Sequence, residues 1–365
     1  MAARETLIEQ IGVEYLRRFG EFLLPDRLER LVSDMDGKLF LEGARVEEAR
    51  QTATTAYRSA PLRPASFSGR SYEGDGEKLK VQLEGFFRSK EGPGFEPSAN
   101  AGRPIRGLVA PHYEMRLSGP IYAWAYKQLK EAQAPDLFVI LGTSHAGLKN
   151  LFAVTDKDFE TPLGVVPADR GLIEAFRRRA GDLFFEEDMA HRAEHSIEFQ
   201  VPFLQFTRGT DRPFTILPIL CAFPPAAVMD PHLRPARAQV EAFLGMLKEA
   251  LAETGRPACL LASADLAHIG LRYGDPSPPS DFAFHKCMQS DLAMLKHVEE
   301  LDPEAFAAFI RTEEDRRRIC GFSPIYSMLT LLKGSEVAKG EVLRYDRGIT
   351  DQFNSTVTYA SMTFF

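Results

Sequence analysis

Three histidines follow predicted buried strands, each within a few residues of the end of the strand. His112 follows the first such strand, His145 follows the second after a Gly-Thr-Ser turn, and His268 follows a later strand together with Asp265. Ligands of open α/β sheets bind outside the carboxyl ends of the strands, so we expect these side chains to converge at one edge. Because neutral imidazole is the commonest metal ligand, the two turns at His112 and His145 favour a shared metal.

Asp265 and His268 share one short predicted turn, which ends at Gly270. A carboxylate beside an imidazole can fix its tautomer or raise its basicity. His268 is therefore the best candidate for a general base that is not itself a metal ligand.

A further imidazole, His195, opens a predicted amphipathic helix that runs to Phe206 with a break or kink near Pro202. His195 and Glu198 are three residues apart and so share a face of that helix. The pair suits a network that orients metal ligands or a general acid–base pair, and it also suits an ordinary first helical turn.

The four cysteines show no CxxC spacing, which favours reduced thiols and a cytoplasmic location. Cys320 lies between an arginine run and a predicted helix at 325–332. The helix dipole and the arginines both favour a thiolate at Cys320, which could bind a metal or attack an electrophile. A buried, inert thiol is the alternative for Cys320 and the expectation for Cys221, Cys259 and Cys287.

The elements that must position these residues begin near residue 103, where apolar runs start to alternate with helical segments. This pattern is typical of an α/β fold with a central, largely parallel sheet flanked by helices. Strands are predicted at 106–110, 137–141, 214–220, 258–262, 342–345 and 356–364, and helices at 122–129, 290–301 and 303–311.

Residues 1–60 have a different pattern and predict a small, mostly helical extension before a main domain at 61–365. The pattern predicts helices at 7–22, 28–35 and 46–57 and a short strand at 38–41, an order that resembles a winged-helix-like module. Pro61, Pro64 and Ser66 predict a linker between the two parts.

Composition excludes several classes of protein. The net charge of −7 and the pI near 5.7 argue against a general nucleic-acid binder, and no apolar run approaches the length of a membrane span. The arginine runs at 177–179 and 316–318 predict solvated helix faces, with a local basic patch as the alternative. The only low-complexity tract that we identify is a Ser-Pro-rich loop at 275–280.

An ordered set of short stretches resembles the Memo family, whose bacterial and archaeal members are called AmmeMemoRadiSam system protein B. The set covers about five-sixths of the chain and comprises Gly107-Leu-Val-Ala-Pro-His112, Tyr126-Lys-Gln-Leu129, Val139-Ile-Leu-Gly-Thr-Ser-His145, Thr161-Pro-Leu163, Glu194-His-Ser-Ile-Glu198, Ser263-Ala-Asp-Leu-Ala-His268, Ile319-Cys-Gly321 and Ser323-Pro-Ile325.

The resemblance implies a fold similar to class III extradiol (protocatechuate-type) dioxygenases. It also implies a mononuclear metal bound by His112, His145 and Cys320. By the same resemblance, His195, Asp265 and His268 line the site.

The chain departs from the family pattern after the first Pro-His, where Tyr113 and Glu114 replace Ala-Gly. It departs again after Cys-Gly, where Phe322 and Ser323 replace a frequent Arg-His. Both changes reshape the predicted pocket wall, so substrate preference cannot be carried across from the family.

Three functions fit these residues. The first is a redox enzyme that uses iron or copper to oxidise an unknown substrate, with a radical S-adenosylmethionine (SAM) protein and an AMMECR1-type protein as the partners that the family name implies. The second is a peptide- or phosphopeptide-binding adaptor without catalysis. The third is a zinc hydrolase, because His and Cys ligands also suit zinc.

Overall fold

The structure is a computed structural model that describes residues 2–337 and 339–365. The chain divides into two compact units, residues 1–60 and residues 61–365.

The smaller unit consists of three helices in its described residues: α1 (Ala2–Phe19), α2 (Pro25–Gly37) and α3 (Ala44–Ser59). The predicted strand at 38–41 is wrong. Leu39 has a φ of 64°, in the left-handed region, so the backbone turns there instead of extending. Within residues 2–60 the structure therefore shows no strand pair that could form a wing.

The larger unit alternates strands and helices along the chain. Its strands are β1 (Leu62–Arg63), β2 (Gly107–Ala110), β3 (Leu137–Thr143), β4 (Phe152–Val154), β5 (Asp158–Thr161), β6 (Gly164–Val166), β7 (Thr215–Cys221), β8 (Cys259–Ser263), β9 (Asp265–Ile269), β10 (Gly340–Ile349) and β11 (Thr356–Phe364). Its α-helices are α4 (Gly76–Arg88), α5 (Met115–Glu131), α6 (Arg170–Ala180), α7 (His195–Glu198), α8 (Gln200–Arg208), α9 (Ala226–Met229), α10 (Arg234–Thr254), α11 (Asp281–Glu299), α12 (Pro303–Thr312) and α13 (Phe322–Leu332).

The main sheet has the strand order β10-β11-β2-β8-β3-β7-β4, and β9 pairs with β11. Strands β2, β8, β3 and β7 are parallel and form its centre, while β4, β9, β10 and β11 pair in the antiparallel sense. A second, small sheet has the order β1-β5-β6. The predicted α/β fold with a mostly parallel central sheet is confirmed.

Apolar cores lie on both faces of the main sheet. Alternate residues of β3 point to opposite faces, as the two-residue period of a strand requires. Val139 and Leu141 pack with residues of α6, α10 and α13, whereas Phe138 and Ile140 pack with residues of α4, α5 and α8. Burial on both faces explains why the central strands are almost entirely apolar. Among the residues that the structure describes, no helix is long and apolar enough to cross a membrane.

Three local predictions need correction. The predicted linker at 61–66 contains β1, which pairs with β5. The predicted turn after β8 contains β9, because its residues add a short strand to β11. The helix that begins at His195 breaks at Phe199, and Pro202 lies in the first turn of α8, where its missing N–H is tolerated.

Candidate metal centre

The strand order brings the predicted ligands to one edge of the sheet. His112 lies two residues beyond β2 and His145 two residues beyond β3, and both of these strands pair with β8 in the parallel sense. Cys320 lies two residues before α13. The three residues therefore meet although they are far apart in the sequence.

The side chains of His112, His145 and Cys320 place their potential ligand atoms within 4.8 Å of one another. The Sγ of Cys320 lies 3.3 Å from Nε2 of His112. The rings of His112 and His145 are nearly perpendicular, with centroids 5.0 Å apart. A single ion between the three side chains would require only small adjustments of these distances.

The tautomers of the two histidines suit a metal. Nδ1 of His112 lies 3.0 Å from the carbonyl oxygen of Ser263, which can only accept, so Nδ1 carries the proton. Nδ1 of His145 lies 3.0 Å from a carboxylate oxygen of Glu194 and is likewise the donor. Burial lowers the pKa of His112 well below its ordinary value, so its Nε2 keeps a lone pair. Burial tends to lower the pKa of His145 as well, but the hydrogen bond and charge of Glu194 outweigh it and raise that pKa, so metal binding would displace a proton from Nε2 of His145. With the sulfur of Cys320 the two Nε2 atoms form a donor set that fits a transition metal.

Glu194 is the site residue that the sequence reasoning missed. Its carboxylate accepts hydrogen bonds from both the backbone N and the ring of His145 and also caps α7 through the backbone N of Ser196. Burial tends to raise the pKa of Glu194, but the hydrogen bonds and charge of His145 outweigh it and hold that pKa well below its ordinary value. The signal in the sequence is a possible N-cap acceptor directly before His195.

His195 lies beside both histidine ligands. Its ring stacks on that of His145 with centroids 4.7 Å apart, and the centroid of His112 is 5.5 Å away. Its Nδ1 lies 3.2 Å from Glu194. Burial lowers the pKa of His195 to about 4, so the ring is neutral at pH 7. His145, Glu194 and His195 form a second cluster of potential ligands that shares His145 with the first.

Glu198 lies away from the metal centre. Its fully buried carboxylate pairs with the guanidinium of Arg63 and accepts hydrogen bonds from the hydroxyl of Tyr72 and the backbone N of Phe67. The acid–base pair of His195 and Glu198 that the spacing allowed is therefore not formed.

The carboxylate of Asp265 accepts hydrogen bonds from the loop that carries His112. Its Oδ1 accepts from the backbone N of His112 at 3.0 Å and of Tyr113 at 3.1 Å. Its Oδ2 lies 3.5 Å from Nε2 of His112, beside the position that a metal would occupy. Burial raises the pKa of Asp265 to about 7, so this carboxyl can hold or release a proton near neutral pH.

His268 does not pair with Asp265 as expected. Nδ1 of His268 lies 3.1 Å from the carbonyl oxygen of Leu266, which fixes its tautomer, and its ring meets that of Tyr273 edge to face. Burial lowers the pKa of His268 to about 4. Among the described residues, neither cluster of potential metal ligands includes His268.

The cysteines are free thiols among the described residues. Burial raises the pKa of Cys320 well above its ordinary value, which favours the thiol and opposes the thiolate that the helix dipole predicts. Two of the neighbouring arginines are neutralised, Arg317 by Asp291 and Arg318 by Asp275. Metal binding would have to displace the thiol proton. Cys221, Cys259 and Cys287 are buried, as expected for inert thiols.

Comparison with known proteins agrees with this geometry. The family model described as Memo-like protein matches residues 63–363. A MEMO1 family protein of Methanopyrus kandleri is 31% identical over 83% of this chain and 98% of its own length. One from Methanothermobacter thermautotrophicus is 30% identical over 83% of this chain and 100% of its own length.

A MEMO1 family protein of Aquifex aeolicus is 23% identical over 98% of this chain and 87% of its own length, so that match extends into residues 1–60. The motif order, the fold and these matches lead to one conclusion. The chain belongs to the Memo family.

Proposed function

We propose that this protein is a mononuclear metalloenzyme that uses iron or copper, held by His112, His145 and Cys320, to oxidise an organic substrate. The observation that carries the proposal is the convergence of two imidazole nitrogens and one sulfur within 4.8 Å of one another. Three protein ligands leave coordination positions open, which a substrate or O₂ needs. The bound metal would supply redox chemistry and Lewis acidity at that point.

The residues around the triad support proton handling. Asp265 presents Oδ2 beside the ligand atoms and has a pKa near 7, so it can give or take a proton there. His195 is neutral and close to both histidines, so we propose that it binds the substrate or accepts a proton from it. We propose that His268, which lies three residues after Asp265 on β9, acts as a general base at the edge of the site.

The mostly parallel sheet with ligands beyond its carboxyl ends also supports the proposed relation to class III extradiol dioxygenases. The dioxygenases have a carboxylate ligand where this chain has the sulfur of Cys320, which argues against assuming extradiol ring cleavage. A thiolate donates more electron density to the metal and is itself oxidisable.

Metal analysis of protein purified without an affinity tag tests the proposal. We expect about one iron or copper ion per chain in the wild type, and loss of that ion in Cys320→Ser. Stoichiometric zinc would overturn the redox proposal and favour a zinc hydrolase instead. No metal in either protein would overturn the proposal in favour of a peptide- or phosphopeptide-binding adaptor.

We further propose that the protein acts in the cytoplasm with a radical SAM protein and an AMMECR1-type protein. This proposal rests only on the motifs that resemble AmmeMemoRadiSam system protein B, whose name implies the two partners. Failure of the three proteins to co-purify or to depend on one another genetically would overturn it.

A further inference from the structure

A cavity of about 460 Å³ lies outside the candidate metal centre. The Ser-Pro-rich loop at 275–280, the start of α11 and the turn that carries Arg316 and Arg317 form its walls. Its volume is within the range of small-molecule sites. Among the described residues that line it, none belongs to the ligand triad.

The side chains that line the cavity carry more positive than negative charge. The carboxylate of Glu313 pairs with Arg317, and that of Asp275 pairs with Arg318. Lys286 and Arg316 also line the cavity, and within the described part of the chain the structure records no ion pair for either. Arg317 is shared between Glu313 and the buried Asp291, so the four cations and three carboxylates of this region leave an excess of one positive charge in a protein whose net charge is −7.

The N-terminus of α11 adds to this positive potential. Ser280, which caps the helix, and Ala283 in its first turn both line the cavity. A helix of 19 residues presents partial positive charge at this end, where the Oγ of Ser280 already accepts from the N–H of Ala283. The exposed Asp281 lies in the same turn but is not part of the lining.

Four apolar residues also line the cavity, beside Ser277, Ser290 and Cys287. Pro276, Pro278 and Pro279 form one wall, and Ile269 contributes from β9. Prolines lose little conformational entropy when a ligand packs on them. The cavity thus combines a cationic side with an apolar side.

We propose that this cavity binds a small organic anion, whose phosphate or carboxylate group is held by Lys286 and Arg316 while its apolar part packs on the proline wall. This site is separate from the metal centre and does not depend on the chemistry proposed there. It is close to that centre along the chain, because Ile269 follows His268 and the turn at 316–318 leads directly to Cys320.

Calorimetric titration of the full-length protein with phenyl phosphate, inorganic phosphate and benzoate tests the proposal. We expect saturable binding of phenyl phosphate or benzoate, weaker binding of inorganic phosphate, and weakening by added salt. The stronger of the two aromatic probes identifies phosphate or carboxylate as the preferred group.

The double variant Lys286→Ala/Arg316→Ala should weaken binding about tenfold or more, because it removes two charge-assisted contacts. Lys296→Ala is the matched control, since Lys296 is exposed on the same helix but does not line the cavity. Lys286 and Arg316 are exposed, so the double variant should keep the wild-type melting temperature. Absence of saturable binding, or equal binding by the double variant and the control, would overturn the proposal.

Discussion

At the scale of single residues, the two histidine ligands differ in burial. The side chain of His112 is 2% exposed, while that of His145 is 41% exposed. The ring of His112 donates to the carbonyl oxygen of Ser263 and its backbone N–H donates to Asp265, so His112 connects the segment after β2 to β8 and β9. Substitutions at the two positions should therefore be compared in both metal binding and stability.

We expect His145→Ala to lose the metal and also to destabilise the metal-free protein by about 1–3 kcal/mol, because it leaves the buried carboxylate of Glu194 without the ring donor and charge of His145. His112→Ala should lose the metal and also cost about 1–3 kcal/mol, because it empties a buried position and leaves the carbonyl of Ser263 without its donor. Metal analysis and denaturant titration of both variants measure these effects. Retention of metal by His145→Ala would contradict the assignment.

Glu194 should act by positioning His145. Glu194→Gln removes the charge that orients the imidazole and should weaken metal binding about 10- to 100-fold. Competition with a chelator of known affinity measures the change. The control is Glu187→Gln, since Glu187 also accepts from two backbone N–H groups, those of Lys149 and Asn150, but lies outside the centre. Equal metal affinity of Glu194→Gln and Glu187→Gln would show that Glu194 does not position His145.

His191 predicts a pH dependence of stability that does not involve the metal. Burial lowers the pKa of His191 to about 3, from 6.5 in the unfolded chain. The unfolded chain therefore binds this proton first, and the contribution to stability that is present above pH 6.5 is lost as the pH falls towards 3. At pH 5 the loss from this group is about 2 kcal/mol.

Denaturant titrations at pH 7 and pH 5 measure this loss. In His191→Gln, whose amide can still donate to the carbonyl oxygen of Ala153, the decrease in stability between the two pH values should be about 2 kcal/mol smaller than in the wild type. The same decrease in both proteins would show that His191 does not titrate as proposed.

At the scale of secondary-structure elements, Arg63 links β1 to the helix that carries the site. Its fully buried guanidinium pairs with Glu198 on α7 and donates to the carbonyl oxygens of Glu194 and His191. The segment that follows β1 brings Phe67 against His195, with ring centroids 5.6 Å apart. A segment that the sequence presents as a linker therefore supports one wall of the centre.

Arg63→Met should destabilise the protein by about 3–5 kcal/mol, because it leaves the carboxylate of Glu198 buried without a counter-charge. Adding Glu198→Gln removes that charge and should recover part of the loss. Chemical denaturation of the single and double variants measures both values. A single variant as stable as the wild type, or a double variant less stable than the single one, would contradict this account.

At the scale of the whole molecule, the ligand triad and both large apolar cores lie within residues 61–365. A protein that starts at Pro61 should therefore unfold cooperatively and keep its metal affinity. A protein that starts at Phe67 lacks β1 and Arg63. It should be less stable than the protein that starts at Pro61 by about 3–5 kcal/mol, as expected for Arg63→Met. Calorimetry and metal titration compare the two. Loss of the cooperative transition in the longer protein would show that residues 1–60 are required for folding.

The sequence by itself determined the fold class, because strands buried on both faces must be continuous apolar runs between helical segments. It also placed His112 and His145, since parallel strands carry the residues beyond their ends to one edge. It could not determine the protonation of Cys320 or the role of Glu194, Arg63 and Glu198. Those depend on desolvation and on partners that lie 49 to 135 residues away in the sequence, which only the packing of the folded chain brings together.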